Sequence, residues 1–289
     1  MFDEALAETR RLIDRAVAER LDRFPPSTLV EAMRHATSGG KRLRAFLVLE
    51  SARIHDVPSE AALPAALAVE LIHAYSLVHD DLPCMDDDDL RRGQPTVHVK
   101  WDEATAVLVG DALQSLAFEV LAEPGLPAPA ERRLALVHGL GKAAGASGMV
   151  LGQALDIAAE TATEPLSLDD IRTLQAGKTG ALIAWSATVG PVLSDSDAAP
   201  LARYAEALGL AFQIADDILD VTGDDRKAGK RLRKDAAARK ATFVSILGLE
   251  GARKMAEDLA DQAIAALSVY GTSAENLREA ARFAISREM

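Results

Sequence analysis

Residues 65–92 read AALAVELIHAYSLVHDDLPCMDDDDLRR, and the junction inside this stretch decides the fold. Its first part is almost wholly apolar and rich in Ala and Leu, which are strong helix formers. Its second part places six aspartates in ten positions, 80–89, and follows them with Arg91 and Arg92. An apolar helix that runs into a knot of carboxylates needs neighbours for its flanks and a counter-charge for its end. The same junction recurs at FQIADDILD, residues 212–220, where Asp216 lies 136 positions after Asp80.

The composition agrees with helices throughout. Of 289 residues 49% are hydrophobic and only 4% aromatic, so the core must be built from small aliphatic side chains. Periodic apolar positions predict helices over 2–21, 43–54, 61–79, 104–121, 131–144, 147–160, 168–189, 198–220, 241–269 and 275–287. The breaks between them, such as Phe24-Pro25-Pro26 and Ser38-Gly39-Gly40, are too short to be linkers. The expected fold is all-α, in a single domain over residues 1–289.

The net charge of −12 argues against a nucleic-acid partner or adsorption to an anionic membrane. It permits an anionic substrate if positive charge is gathered locally or supplied by metal ions. With Cys84 as the sole cysteine, no intrachain disulfide can form. The first residues lack the apolar core of a signal peptide. The most apolar run is interrupted by Pro64 and Glu70 and reads as too short for a membrane span. These features together point to a cytoplasmic protein.

The carboxylates carry the chemistry. Asp216 and Asp220 are four apart and share a helical face, with Gln213 near it. Like charges so placed repel unless a cation sits between them. Oxygen-only ligands favour a hard ion such as Mg²⁺, which takes few carboxylates and completes its shell with water and phosphate oxygens. In the first cluster Asp80 and Asp86 are six apart, about 240° around an ideal helix. They can act together only if the chain bends, and Pro83 disfavours helix at Leu82. A solvated acidic cap accounts for Asp87, Asp88 and Asp89 equally well. Two acidic motifs, each abutting an apolar helix, favour a metal site.

Positive charge is concentrated in four places. Gly39-Gly40-Lys41-Arg42-Leu43-Arg44 opens a predicted helix, where backbone N–H groups favour anions, and helical spacing would put Lys41 and Arg44 on one face. Arg91 and Arg92, if helical, point about 100° apart and could serve different anions. Gly177-Lys178-Thr179-Gly180 is not a phosphate-binding P-loop, because position 172 is Arg172 and not glycine. Its glycines predict a local break in the helix that exposes Lys178 and backbone carbonyls. His73 lies seven before Asp80, on nearly the same face. The basic segment 223–240 reads as a solvated loop or as a lid carrying cations toward an anionic ligand.

GGKRLR (39–44), HAYSLVHDDLPCMDDDDLRRGQPTVH (73–98), GDALQ (110–114), GQALD (152–156), GKTG (177–180) and FQIADDILDVTGD (212–224) occur in the order seen in short-chain trans-prenyltransferases. The chain resembles that family over essentially its whole length, most closely the bacterial farnesyl diphosphate synthases. The resemblance implies an isoprenoid-synthase helical bundle around a central apolar cavity, usually a homodimer. It implies magnesium, three ions per site, held by Asp80, Asp86 and Asp216 with Asp81, Asp217 and Asp220 beside them. Gly40, Lys41, Arg44, His73 and Arg92 would bind isopentenyl diphosphate. Arg91, Lys178, Lys230 and Lys240 would bind the allylic diphosphate, dimethylallyl or geranyl. The Lys178 and Thr179 carbonyls and Gln213 would steady the allylic cation. Tyr75, five before the first aspartate, would floor the tunnel at fifteen carbons, although an ideal helix puts the smaller Ser76 under Asp80. A geranylgeranyl diphosphate synthase is the nearest alternative, ahead of a terpene cyclase or a non-catalytic synthase subunit.

Overall fold

The computed structural model describes residues 1–162, 166–222 and 241–286. Helices dominate it: α1 (Phe2–Leu21), α2 (Thr28–Thr37), α3 (Leu43–Arg53), α4 (Ser59–Asp80), the short α5 (Val97–Lys100), α6 (Glu103–Ala122), α7 (Ala130–Ala144), α8 (Met149–Glu160), α9 (Leu168–Gln175), α10 (Ala181–Ser194), α11 (Ala199–Thr222), α12 (Phe243–Ala266) and α13 (Glu275–Ile285). A π-helical turn, Ala176–Gly180, joins α9 to α10, and a 3₁₀ stretch, Ser268–Ala274, precedes α13. Among the described residues the only strands are the two-residue pair β1 (Leu90–Arg91) and β2 (Gln94–Pro95), an antiparallel hairpin.

Helix α4 is the axis of one half of the bundle. Its buried positions run almost all round, from Ala61 to Val78, which marks a helix enclosed on every side. It packs against α6, α3, α10 and α2. Pro64 falls in the second turn and leaves the helix continuous to Asp80. The expectation that this run is too short to cross a bilayer is therefore corrected. By length and composition alone Ser59–Asp80, Glu103–Ala122 and Ala130–Ala159 could each span one, though 72% of the most apolar stretch of the first is buried within the protein. The other half is built on α11, which packs on α12, α10, α13 and the π-turn.

Two sequence expectations change. Helix α2 was missing from the periodic pattern. It is short, and its start is signalled by Ser27, whose hydroxyl accepts the Val30 N–H at 3.3 Å. The predicted helix 168–189 is divided by the π-turn, at the glycines that predicted a break.

Candidate active site

The first acidic motif sits where α4 ends. Asp81 is its C-cap, and the chain then folds back: the Asp86 N–H donates to the Asp80 carbonyl at 2.8 Å, and Asp88 N–H to the Asp81 carbonyl at 3.2 Å. This is the bend that Pro83 called for, and it brings Asp86 into the field of Asp80. Burial pushes the Asp80 carboxyl up to about 7, with Asp86 and Asp81 adding to the rise and Lys178 and Arg91 opposing it. Asp80 is half-buried.

Asp81 is buried, and burial raises its carboxyl while the hydrogen bond from Arg91 works the other way. Arg91 donates through both Nε, at 3.0 Å, and Nη2 to Asp81 Oδ1, and through Nη2 to Asp88 Oδ2 at 3.3 Å. Asp81 thus anchors Arg91. The two arginines do diverge, but a helix is not the reason. Arg91 lies in β1, and Arg92, at φ 53°, is in the hairpin turn. Arg92 swings to the opposite side and donates from Nη1 to the carbonyls of Ser38, at 2.8 Å, and Gly39, at 3.1 Å.

Gly40 has to be a glycine. At φ 96° it faces the Arg92 guanidinium, and a Cβ there would stand 2.9 Å from Cζ. Beneath this loop His73 is held neutral: burial lowers its pKa well below the usual imidazole value, and Arg44, Arg92, Arg91 and Arg42 lower it further. Arg44, Arg92 and His73 are thereby brought together with Gly40. Lys41 does not share a helical face with Arg44, because α3 begins only at Leu43. Its ammonium instead stands 5.9 Å from the Phe283 ring centroid on α13. A pocket of about 250 Å³ lies here, lined by Ser38, Gly39, Asp81, Arg91, Arg92 and Thr96 among others. A larger groove, about 1040 Å³, lies beyond the π-turn between α9, α11 and α12, and among the described residues no predicted metal or diphosphate ligand lines it.

The π-turn links the two acidic motifs. Lys178 Nζ donates to Asp156 Oδ2 at 2.6 Å and also acts on Asp80. The next residue, Thr179, donates from its hydroxyl to Gln213 Oε1 at 3.1 Å. Gln213 Nε2 in turn donates to Asp217 Oδ1 at 3.1 Å, and Asp217 Oδ2 accepts the Phe243 N–H at 3.0 Å. Asp217 is buried, and it ties α11 to the start of α12. Asp216 and Asp220 stand on the same continuous helix, α11. Lys230, Lys240 and the segment 223–240 fall outside the described residues.

Two participants were not singled out from the sequence, although GQALD contains both. Asp156 pairs with Lys178. Gln153, one turn earlier on α8, is buried with neither amide atom hydrogen-bonded among the described residues. The three-residue spacing of Gln153 and Asp156 on one helical face was the available signal.

The donor set suits magnesium. Among the described residues no three carboxylate, imidazole or thiol groups converge tightly enough to enclose an ion unaided. Mg²⁺ asks for less than that, one or two carboxylates with water and phosphate oxygens. The half-buried, mutually repelling Asp80 and Asp86 offer such a seat.

Tyr75 is buried on α4, its hydroxyl toward Gln114 of α6 and its ring 5.8 Å from that of His79. Ser76 is turned back on its own helix, donating to the His73 carbonyl at 3.0 Å.

Comparison with known proteins finds relatives that match over most of the chain. A family model described as polyprenyl synthetase matches residues 26–280. The chain is 42% identical to a farnesyl diphosphate synthase from Haemophilus influenzae, over 99% of both chains. It is similar to the solved structure of an FPP/GFPP synthase from Zymomonas mobilis, with a TM-score of 0.89 and 47% identity over 98% of each chain. It is also similar to a geranyltransferase from Helicobacter pylori complexed with magnesium and isoprenyl diphosphate, with a TM-score of 0.81 and 34% identity over 97% of this chain and 96% of that one. Matched by that family model over residues 26–280 and by a 42% identical relative over nearly its full length, the chain belongs to the polyprenyl synthetase family.

Proposed function

We propose that the protein condenses isopentenyl diphosphate with dimethylallyl and then geranyl diphosphate to give farnesyl diphosphate. The observation that carries the reading is the shared electrostatic neighbourhood of Asp80, Asp86, Arg91 and Lys178 at the end of an apolar helix. A hydrocarbon chain suits such a helix, and a diphosphate head suits its charged end.

In this reading the allylic C–O bond breaks and diphosphate leaves with the electron pair. The double bond of isopentenyl diphosphate attacks the allylic carbon, and the proton that is then lost goes to the released diphosphate. Arg91 and Lys178 meet the allylic diphosphate, each held in place by a carboxylate, Asp81 and Asp156. Gly40, Lys41, Arg44, His73 and Arg92 receive isopentenyl diphosphate. The Lys178 and Thr179 carbonyls lie in a widened turn, a common device at functional sites. With Gln213 they face the developing cation. Magnesium, three ions held by Asp80, Asp86 and Asp216 with Asp220 alongside, supplies Lewis-acid stabilisation of the leaving group when bound. Tyr75 limits the product to fifteen carbons.

We further propose a cytoplasmic homodimer with no nucleic-acid partner. The exposed apolar side chains Val107 and Leu108 on α6 and Leu134 on α7 support a subunit contact on that side.

The test is to incubate the purified protein with magnesium, isopentenyl diphosphate and dimethylallyl diphosphate, with and without chelator, and weigh the products. A chelator-sensitive fifteen-carbon diphosphate is expected. A twenty-carbon product refutes the length assignment, and no condensation refutes the activity.

A further inference from the structure

Arg42 lies inside the cationic motif GGKRLR, yet its side chain turns away from the pocket. It is 4% exposed, and its backbone adopts φ 56°, ψ 33°, a left-handed conformation rare for a residue with a side chain. Such strain persists only where the surroundings over-determine it. Here three elements do so. The guanidinium donates to the Thr37 carbonyl at the end of α2 at 2.6 Å, to Asp14 on α1 at 2.7 Å, and to Glu70 Oε2 on α4 at 3.4 Å.

Glu70 is also 4% exposed, and its second oxygen accepts the Ala45 N–H at 3.1 Å. That N–H is in the first turn of α3, where no intrahelical acceptor exists. One buried carboxylate thus holds both the left-handed residue before α3 and the first turn after it. Glu70 is also three residues before His73 on the same helix. The loop between α2 and α3 is gripped from the pocket side by Arg92 and from beneath by Arg42 and Glu70.

A buried ion pair is a poor source of net stability, because desolvation offsets the attraction. Its use here is geometric. We propose that Arg42 and Glu70 are a positioning pair: neither touches substrate, and together they fix the loop backbone and α3 start that set affinity for isopentenyl diphosphate. The proposal rests on the reading of that loop as the isopentenyl diphosphate cradle.

The test uses full-length enzyme with each substrate varied separately. Glu70→Gln and Arg42→Met should raise KM for isopentenyl diphosphate on the order of 10-fold, as a small misplacement of binding groups does. KM for geranyl diphosphate and kcat should stay within about twofold. The double variant Arg42→Met/Glu70→Leu removes both charges at once, so it should recover the melting temperature lost by either single change. It should keep the raised KM. A double variant that regains both the melting temperature and the KM overturns the proposal, because the pair is then structural only. Lys41→Ala separates the two readings. A raised KM there, with unchanged values in the pair variants, overturns the proposal alone. An unchanged KM in Lys41→Ala overturns the cradle reading and the proposal with it.

Discussion

Gly152→Ala tests whether the π-turn is held by packing from α8. A Cβ at Gly152 would stand 2.5 Å from Lys178 Cα and 2.7 Å from the Gly177 carbonyl carbon, and closer still to Lys178 N. Ordinary contact begins near 3.4 Å, so the Lys178 backbone must move by about 0.9 Å or more. The neighbour that must give is main chain, with no flexible end to swing aside. The displaced turn carries Lys178 toward the Asp80 cluster and Thr179 toward Gln213. A shift of about 1 Å in such groups lowers turnover roughly 100-fold. Overpacking should also reduce stability by about 1–3 kcal/mol, a melting shift of a few degrees. The assay is steady-state condensation alongside thermal unfolding. Gly141→Ala, where an added Cβ meets nothing within 4 Å, serves as the neutral comparison. Activity of Gly152→Ala within about threefold of Gly141→Ala would refute the reasoning, since the turn could then move without consequence.

Asp216 and Asp217 are adjacent and should fail differently. Asp216→Ala should lower turnover by at least roughly 10²–10³-fold with the circular dichroism spectrum unchanged, and full activity would remove it from the metal set. Asp217→Ala strips the Phe243 N–H of its acceptor and should lower unfolding stability by about 1–3 kcal/mol, measured by denaturant titration. Tyr75→Ala should shift the product to more than fifteen carbons by mass, and an unchanged product clears Tyr75 of that role. His73 gives a pH signature. Its folded pKa lies well below the 6.5 of the free side chain, so between those values the unfolded chain binds a proton that the native state does not. Stability contributed by the neutral ring is therefore present above pH 6.5 and lost as pH falls below it. His73→Gln should flatten that acid-side decline in chemical denaturation, and an unchanged slope would show that the ring is not held neutral.

Local patterns in the sequence determined most of the helices, though not α2, and which side chains bear the charge. Ala- and Leu-rich periodicity marked α4 and α11, and the two acidic clusters marked their ends. Pro83 foretold the bend that brings Asp86 to Asp80, and Gly177 and Gly180 foretold the π-turn. Spacing alone failed where a neighbour in space, not in sequence, sets the conformation. Lys41 was placed with Arg44 by helical spacing, but left-handed Arg42, pinned by Glu70 from 28 residues away, delays the helix to Leu43. The directions of Arg91 and Arg92 depend on a hairpin too short to carry a periodic signal. Asp156 could be read as one more acidic residue until Lys178, 22 positions later, arrived beside it. The difference is physical: periodicity reports which face of an element is buried, whereas ion pairs and close backbone approaches depend on how separate elements pack.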